Sequence, residues 1–136
     1  MEPKQRILLL DDERVARLEA SFMEDFGELE IITDIATNAQ EAEQLFTKNR
    51  YAALVVEPYD FGVLESMLAP KIDFSQRVIG ANVPVIVTST QTAGFYDTHF
   101  NFRLGSGYQV HLLKPFEAND LVNAVRKVIS SQTTRP

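Results

Sequence analysis

Short apolar runs alternate along this chain with longer stretches in which apolar residues recur every three or four positions. Apolar runs of this kind are typical of buried strands, and the longer period is typical of helices that pack with one face. The alternation predicts βα units, which build a parallel sheet covered by helices on both faces. Five units fit, with strands predicted at residues 6–10, 29–36, 52–57, 83–88 and 108–113.

The first predicted helix covers residues 13–26 and stops at Gly27, because a glycine after the last apolar residue commonly ends a helix. Side chains spaced three or four apart predict its buried face. They are Val15, Leu18, Phe22 and Phe26.

The second predicted helix opens at Thr37, which forms a capping box with Gln40, and runs to Lys48. Its buried face is predicted to use Ala42 and Leu45. These positions place one narrow side of the helix on the sheet.

The later helices differ in regularity. A third helix is expected to begin near Gly62 and to be interrupted by Pro70. The last covers residues 118–129 and carries a continuous apolar stripe. The stripe consists of Leu121, Val122, Val125, Val128 and Ile129.

The length of 136 residues, of which 45% are hydrophobic and 24% charged, fits one globular domain with a single core. We expect this domain to span residues 1–130. The polar segment 131–136 is either a chain end or the start of a linker.

Charge and composition exclude several classes of function. A net charge of −6 without a basic cluster argues against direct nucleic-acid binding. The absence of cysteine removes disulfides, thiolate metal sites and thiol nucleophiles. No apolar run is long enough for a signal peptide core or a membrane span, so we expect a cytoplasmic protein without membrane contact.

Polar residues follow several of the predicted strands, where ligands gather in open α/β sheets. They are Asp11, Asp12, Glu57, Ser89 and Lys114. Each has an ordinary explanation by itself: the acidic pair as a helix cap, the serine as a turn residue, the lysine in a loop. Together, and in this order, they predict a shared acidic site in which a divalent cation or the Lys114 ammonium balances the carboxylates.

Three segments resemble the motifs of the response-regulator receiver domain. They are residues 7–13 (ILLLDDE), 84–89 (PVIVTS) and 113–116 (LKPF). The resemblance, which covers residues 6 to about 130, implies a flavodoxin-like (CheY-like) three-layer α/β/α sandwich, with a five-stranded parallel sheet in the order 2-1-3-4-5. It also implies that a histidine kinase passes a phosphoryl group to an aspartate in a two-component or phosphorelay pathway.

The resemblance assigns roles to individual positions. Asp11 and Asp12 match the acidic pair that holds magnesium together with the acceptor, Ser89 the hydroxyl that follows the phosphoryl group, and Lys114 the lysine that contacts it. His111 matches a rotating aromatic switch position, with an ordinary outward-facing strand residue as the alternative.

Glu57 stands where the resemblance implies the acceptor aspartate. The extra methylene moves the carboxylate by about 1.5 Å, which misplaces it for in-line attack. We therefore expect a pseudo-receiver whose switch is permanently set by a Glu57–Lys114 ion pair, and magnesium held weakly or not at all by the acidic pair. Two alternatives are a phosphorylatable receiver that uses Asp60, which otherwise caps a helix, and an engineered change of aspartate to glutamate.

Aromatic residues concentrate between residues 91 and 108. They are Phe95, Tyr96, Phe100, Phe102 and Tyr108. Some are expected in the core, with Phe95 and Phe102 on one helical face, and the surplus predicts a protein-binding surface. The resemblance implies dimerisation or output contacts on the side formed by helix 4, strand 5 and helix 5, so the expected partners are a histidine kinase, an output domain or a second copy.

A function of another class is a small metal-dependent phosphatase with Asp11 as nucleophile. It would need a general acid at Glu13 and a cap over the site, and the chain has no insertion for a cap. Flavin binding is set aside, because Asp11, Asp12 and Glu13 would repel phosphate. A non-enzymatic signalling domain is therefore the preferred interpretation.

Overall fold

The computed structural model describes residues 5–26, 30–59, 69–105 and 109–133, with only the backbone described at residues 26 and 131–133. Strands and helices alternate along these residues, as the hydrophobic pattern predicts. The strands are β1 (Gln5–Leu10), β2 (Ile31–Ala36), β3 (Ala53–Val56), β4 (Val85–Ser89) and β5 (Gln109–Leu113). The helices are α1 (Glu13–Phe26), α2 (Ala39–Lys48), α3 (Ala69–Gly80), α4 (Ala93–Phe100) and α5 (Ala118–Thr133).

The five strands form one parallel sheet in the order β2-β1-β3-β4-β5, which confirms the predicted flavodoxin-like arrangement. The most apolar strands lie inside the sheet, because a parallel strand between two helical layers is buried on both faces. All residues of β3 and β4 are buried, whereas β2 and β5 are partly exposed at the edges.

Alternate residues of the strands supply two apolar layers, since successive side chains point to opposite faces of a sheet. Leu8 and Leu10 join the layer beneath α2, α3 and α4, and Ile7 and Leu9 join the layer beneath α1 and α5. The predicted stripe of α5 lies entirely in the second layer. No helix in the described ranges is long and apolar enough to cross a bilayer.

The predicted face of α1 is correct at Phe22, which packs against the layer beneath α1 and α5, but wrong at Leu18. Leu18 is 53% exposed, while Ala16 and Met23 are buried in the layer beneath α1 and α5. Small Ala16 gives a weak hydrophobic signal but lets the helix lie close to the sheet. The same face carries Glu19, a charged residue that the pattern places in solvent.

Helix α2 begins one residue later than the predicted cap. Asn38 is the N-cap, and its side chain accepts a hydrogen bond from the backbone N–H of Glu41 at 2.8 Å. The Glu41 carboxylate in turn accepts from the backbone N–H of Thr37 at 2.9 Å. The capping interaction therefore involves Asn38 and Glu41, and not Thr37 and Gln40.

Two further differences concern α3 and α4. Pro70 lies in the first described turn of α3, where its missing N–H costs no hydrogen bond within Ala69–Gly80. The expected start near Gly62 lies outside the described residues. Helix α4 ends at Phe100 before left-handed Asn101, so Phe102 lies beyond the helix and shares no helical face with Phe95.

Candidate functional site

The polar residues at the strand ends meet at one edge of the sheet. Leu10 of β1 lies beside Val56 of β3, so Asp11 and Glu57 leave the sheet as neighbours. The backbone N–H of Glu57 continues the ladder by donating to the carbonyl of Leu10 at 3.0 Å. The side chains of Asp11 and Glu57 are consequently held by the sheet itself.

Ser89 and Lys114 reach the same edge from the other side. Ser89 is the last residue of β4, and its carbonyl accepts a hydrogen bond from the backbone N–H of Lys114 at 2.7 Å. Ser89 is fully buried, whereas Lys114 is partly exposed. Parallel pairing of the strands thus brings residues that are far apart in sequence together in one site.

Lys114 holds the two buried carboxylates of this site. Its ammonium nitrogen Nζ lies 3.1 Å from Oδ2 of Asp11 and 3.7 Å from Oε1 of Glu57. Asp11 and Glu57 are only 3% and 6% exposed. The expected Glu57–Lys114 ion pair is present, but the shorter contact is with Asp11.

Asp12 has a different role from Asp11. It is exposed, and its side-chain Oδ1 accepts a hydrogen bond from the backbone N–H of Val15 at 3.0 Å, as an N-terminal helix cap does. Its own backbone N–H donates to Oδ1 of Asp11 at 2.7 Å. Asp12 is therefore a helix cap, which was the ordinary explanation of the acidic pair. Asp11 belongs to the ion-paired site.

Burial dominates the electrostatics of the site. It raises the pKa of Glu57 to about 7, opposed first by the charge of Lys114 and then by a hydrogen bond from Ser89. Burial also raises the pKa of Asp11, again opposed by Lys114. The pKa of Lys114 is lowered by burial, but the charges of Asp11 and Glu57 outweigh this, and the net shift is upward.

Glu19 is a fourth acidic residue that the sequence pattern did not identify. It is 2% exposed, and neither of its carboxylate oxygens has a hydrogen-bond partner among the described residues. Burial raises its pKa to about 8, with a further contribution from the negative charge of Asp11. Its burial could have been predicted from its spacing of three and four residues from Ala16 and Met23 on the same helical face. Its charge argued against burial.

The site as arranged does not fit a divalent cation. Hard cations need several carboxylate or carbonyl oxygens directed at one point. Within the described ranges, no three residues among His, Cys, Asp and Glu are grouped to hold a metal ion. The Lys114 ammonium already lies against Asp11, and Oε2 of Glu57 accepts from the backbone N–H of Tyr59 at 3.4 Å. The expectation that Asp11 and Asp12 hold magnesium weakly or not at all stays a prediction.

The Ser89 hydroxyl makes several contacts. Its Oγ lies 2.5 Å from the Tyr96 hydroxyl and accepts a hydrogen bond from the backbone N–H of Gln91 at 3.0 Å. Tyr96 belongs to α4 and is fully buried, so the site extends into the core beneath that helix.

His111 contacts the segment that follows β4. Its ring Nε2 lies 3.0 Å from the carbonyl oxygen of Gln91, and the residue is half-buried. It therefore connects β5 with the start of the β4–α4 connection through a backbone group. Whether His111 acts as a rotating switch stays a prediction.

Lys71 of α3 is another residue that sequence reasoning missed. Its ammonium donates to the backbone carbonyl of Glu57 at 3.3 Å. This contact connects α3 with the backbone at the end of β3. Asp60, the alternative acceptor, lies outside the described residues.

The aromatic residues separate into buried and half-buried groups. Tyr96 and Phe102 are 0% and 1% exposed and belong to the core, as expected for some of the five, so they do not contribute to a partner surface. Phe95 and Phe100 are half-buried and pack against the same apolar layer. Tyr108 lies outside the described residues. A partner surface here would use Phe95 and Phe100.

No protein-family profile and no curated protein matches the sequence. Solved structures do match over nearly the whole chain. The receiver domain of a Francisella response regulator is 22% identical, with 95% of this chain and 99% of that chain covered and a TM-score of 0.67.

Two other similar structures give the same result. The non-phosphorylated HemR receiver domain from Leptospira biflexa is 24% identical over 98% of each chain, with a TM-score of 0.65. The signal receiver domain of an HD domain-containing protein from Pseudomonas fluorescens Pf-5 is 18% identical, with 98% of this chain and 93% of that chain covered and a TM-score of 0.71. At these identities the similarity establishes the fold: the chain adopts the fold of receiver domains.

Proposed function

We propose that this chain is a receiver domain of a two-component or phosphorelay response regulator, in an atypical form that acts through protein contacts with Glu57 at the phosphoacceptor position. One observation carries the proposal: the buried carboxylate of Glu57 lies 3.7 Å from the Lys114 ammonium at the end of β3. In a phosphorylated receiver this ammonium contacts the phosphoryl group. Here a carboxylate of the chain takes that contact.

The surrounding contacts disfavour phosphotransfer to Glu57. A phosphoryl group would need Lys114 and Ser89. Lys114 is already paired with Asp11 and Glu57, and the Ser89 hydroxyl already bonds to Tyr96. The glutamate carboxylate also lies about 1.5 Å beyond the position of an aspartate carboxylate, which is enough to lose in-line geometry. The proposed domain is therefore held in one state by its own side chains.

The state is set by hydrogen bonds as well as by charge. Because the pKa of Glu57 is raised to about 7, its carboxyl is partly neutral at pH 7. The contacts with Lys114 and Ser89 stabilise the charged form. The charge of the Glu57 carboxylate therefore depends on these contacts.

The proposed activity is binding of another protein. Phe95 and Phe100 on α4 are half-buried, and Leu113 at the end of β5 is 51% exposed, so these residues can offer apolar surface to a partner. A histidine kinase, an output domain or a second copy is the proposed partner. The Pseudomonas relative, which is the receiver domain of an HD domain-containing protein, illustrates a receiver that shares a chain with another domain.

A phosphatase is the weaker proposal. Its nucleophile would be Asp11, which is 3% exposed and paired with Lys114. A nucleophile in that position has neither access to substrate nor freedom from its counter-ion. We therefore propose a non-enzymatic, cytoplasmic signalling domain without direct nucleic-acid contact.

Incubation with acetyl phosphate and magnesium, followed by intact-mass measurement, tests the proposal. The unaltered chain should gain no phosphoryl mass, while a Glu57→Asp variant should gain one, because only its acceptor has the length that in-line attack needs. A variant with both Glu57→Asp and Lys114→Met is the control and should gain less, since it lacks the ammonium.

Other outcomes have defined meanings. A phosphoryl group on the unaltered chain would overturn the proposal, and peptide mapping would then ask whether Asp60 carries it. Replacement of Glu57 with alanine should change self-association or partner binding, measured by light scattering and by capture of a purified kinase or output domain. Unchanged association after this replacement would contradict a state set by Glu57.

A further inference from the structure

Helix α1 has a second apolar face, centred on Leu18, besides the face that packs on the sheet. Leu18 is 53% exposed, and Val15 and Phe22, three residues before it and four after it, are half-buried. Residues at these spacings lie on one side of a helix. Ala16 and Met23 are buried on another side. The core of the chain therefore leaves the face around Leu18 partly uncovered.

The charges around Leu18 indicate what covers this face, since a single exposed leucine is ordinary on a protein surface. Arg14 lies four residues before Leu18 and Asp25 seven residues after it, and both are exposed on the same side of the helix. The two charges are about 17 Å apart along the helix, so they cannot pair with each other. Neither has an ion-pair partner among the described residues.

The order of these charges opposes the helix dipole. A helix favours acidic residues near its N-terminus and basic residues near its C-terminus. In α1, Arg14 lies in the first turn, and the last turn contains Glu24 and Asp25 but no basic residue. Glu13, the acidic residue of the first turn, pairs with Arg17. The stability of α1 alone therefore does not explain the positions of Arg14 and Asp25.

A second copy of this chain supplies the opposite charge at both positions. In an antiparallel pair of α1 helices with a two-fold axis at Leu18, the first half of each helix faces the last half of the other. Arg14 of each copy then faces Asp25 of the other, and the two Leu18 side chains meet between these ion pairs. A parallel pair would instead set like charges against each other.

We propose that this Leu18 face, formed by Arg14, Val15, Leu18, Phe22 and Asp25, is a docking surface for a second copy of the chain in an antiparallel, two-fold symmetric dimer. A helix of 14 residues is about 21 Å long. One helix from each copy buries less area than the roughly 1,600 Å² of a stable interface. The dimer is therefore weak and reversible, and dilute protein is monomeric.

The inference goes beyond the proposed function, because it uses neither Glu57 nor α4. Phe95 and Phe100 of α4 pack on the apolar layer of the other face of the sheet. The mass measurement with acetyl phosphate does not depend on Leu18. The inference and the proposed function can therefore fail separately.

Sedimentation equilibrium from about 10 µM to about 1 mM protein measures the association, at a physiological salt concentration that screens the net charge of −6 on each copy. The average mass should rise with concentration toward that of a dimer. Leu18→Gln should weaken the association at least about tenfold, because both copies lose the apolar contact at the centre. Leu113→Gln is the matched control: Leu113 is 51% exposed at the end of β5, and its replacement should leave the association unchanged.

Charge reversals test the antiparallel arrangement. Arg14→Asp and Asp25→Arg should each weaken self-association about fivefold, because each sets like charges together twice in a symmetric dimer. An equimolar mixture of these two single variants should associate as strongly as the unaltered chain, since every charge again faces its opposite. The double variant should also regain association. Both substitutions agree with the helix dipole, so α1 should stay folded.

Three results would overturn the inference. An unaltered chain that stays monomeric to about 1 mM would leave the Leu18 face for a different protein. Association lost in Leu113→Gln and kept in Leu18→Gln would place the interface at β5. A mixture of the two charge variants that stays monomeric, while the unaltered chain associates, would exclude the antiparallel pairing of Arg14 with Asp25.

Discussion

Two buried polar side chains on opposite faces of the sheet, Tyr96 and Glu19, show different solutions to the same problem. Tyr96 is 0% exposed, and its hydroxyl is bonded to Ser89 at 2.5 Å. Glu19 is 2% exposed, and both of its oxygens lack a hydrogen-bond partner in the described part of the chain. A buried polar group without a partner destabilises a fold, and a charged one does so most.

Glu19 is buried in its protonated, neutral form, whereas Tyr96 is buried with its hydroxyl hydrogen-bonded. With its pKa raised to about 8, Glu19 is mainly neutral at pH 7. A protonated carboxyl is far less costly to bury than an ion. The stability of the α1 side should therefore depend on pH, while the bond of Tyr96 leaves the other side less dependent on it.

The largest expected effect is a loss of stability as pH rises. The pKa of Glu19 moves from an ordinary 4.5 in the unfolded chain to about 8 in the fold, so the folded state binds the proton more tightly. Stability is then full below pH 4.5 and falls as pH rises to about 8, by about 4 kcal/mol for this group. Glu57, whose pKa is raised to about 7, contributes in the same direction.

Urea unfolding between pH 5 and 8.5 measures this dependence. A double variant with Glu19→Gln and Glu57→Gln is the control, because it removes the groups whose pKa values are raised to about 8 and about 7, and it should remove most of the pH dependence. Stability that rises between pH 5 and 8 in the unaltered chain would contradict the assignment of a neutral Glu19.

The second effect isolates Glu19. Glu19→Leu should raise the free energy of unfolding by about 3 kcal/mol at pH 8 and by a much smaller amount at pH 5, because the penalty removed is that of the ionised form. Glu24→Leu, an exposed position on the same helix, should change stability by less than about 0.5 kcal/mol at both pH values. Equal gains from Glu19→Leu at the two pH values would assign the pH dependence to other groups.

The third effect compares two tyrosine hydroxyls. Tyr96→Phe should lower the free energy of unfolding by about 1 to 2 kcal/mol, because the Ser89 hydroxyl is left in the core without its Tyr96 partner. Tyr51→Phe should cost less, about 0.5 to 1 kcal/mol, since Asp34 keeps Arg6 at 2.8 Å and has access to water. Urea unfolding at pH 7 measures both, and a larger loss at Tyr51 would reverse the ranking.

The fold could be predicted because its signal is carried by many residues. Strands β3 and β4 are buried on both faces, and such strands appear in the sequence as short apolar runs without any polar interruption. Strand ends then follow from where those runs stop. The positions of Asp11, Glu57, Ser89 and Lys114 could therefore be predicted together.

The contacts that could not be predicted depend on how one helix is rotated or where it begins. The burial of Glu19 depends on α1 resting on Ala16, whose small side chain hardly affects a hydrophobic pattern. The contact of Tyr96 with Ser89 depends on α4 beginning after Thr92, which caps it. These are tertiary outcomes, and single residues give little local signal for them.

The smallest expected effect tests the rotation of α1. Leu18 belongs to the face that the pattern predicted to be buried, yet it is 53% exposed. Leu18→Gln should change the free energy of unfolding by less than about 0.5 kcal/mol, because little apolar area returns to water. Met23, by contrast, is only 3% exposed, and Met23→Gln should lower the free energy of unfolding by about 2 kcal/mol or more. A large loss at Leu18 with little at Met23 would restore the predicted face and remove Glu19 from the core, and the pH dependence would need another source.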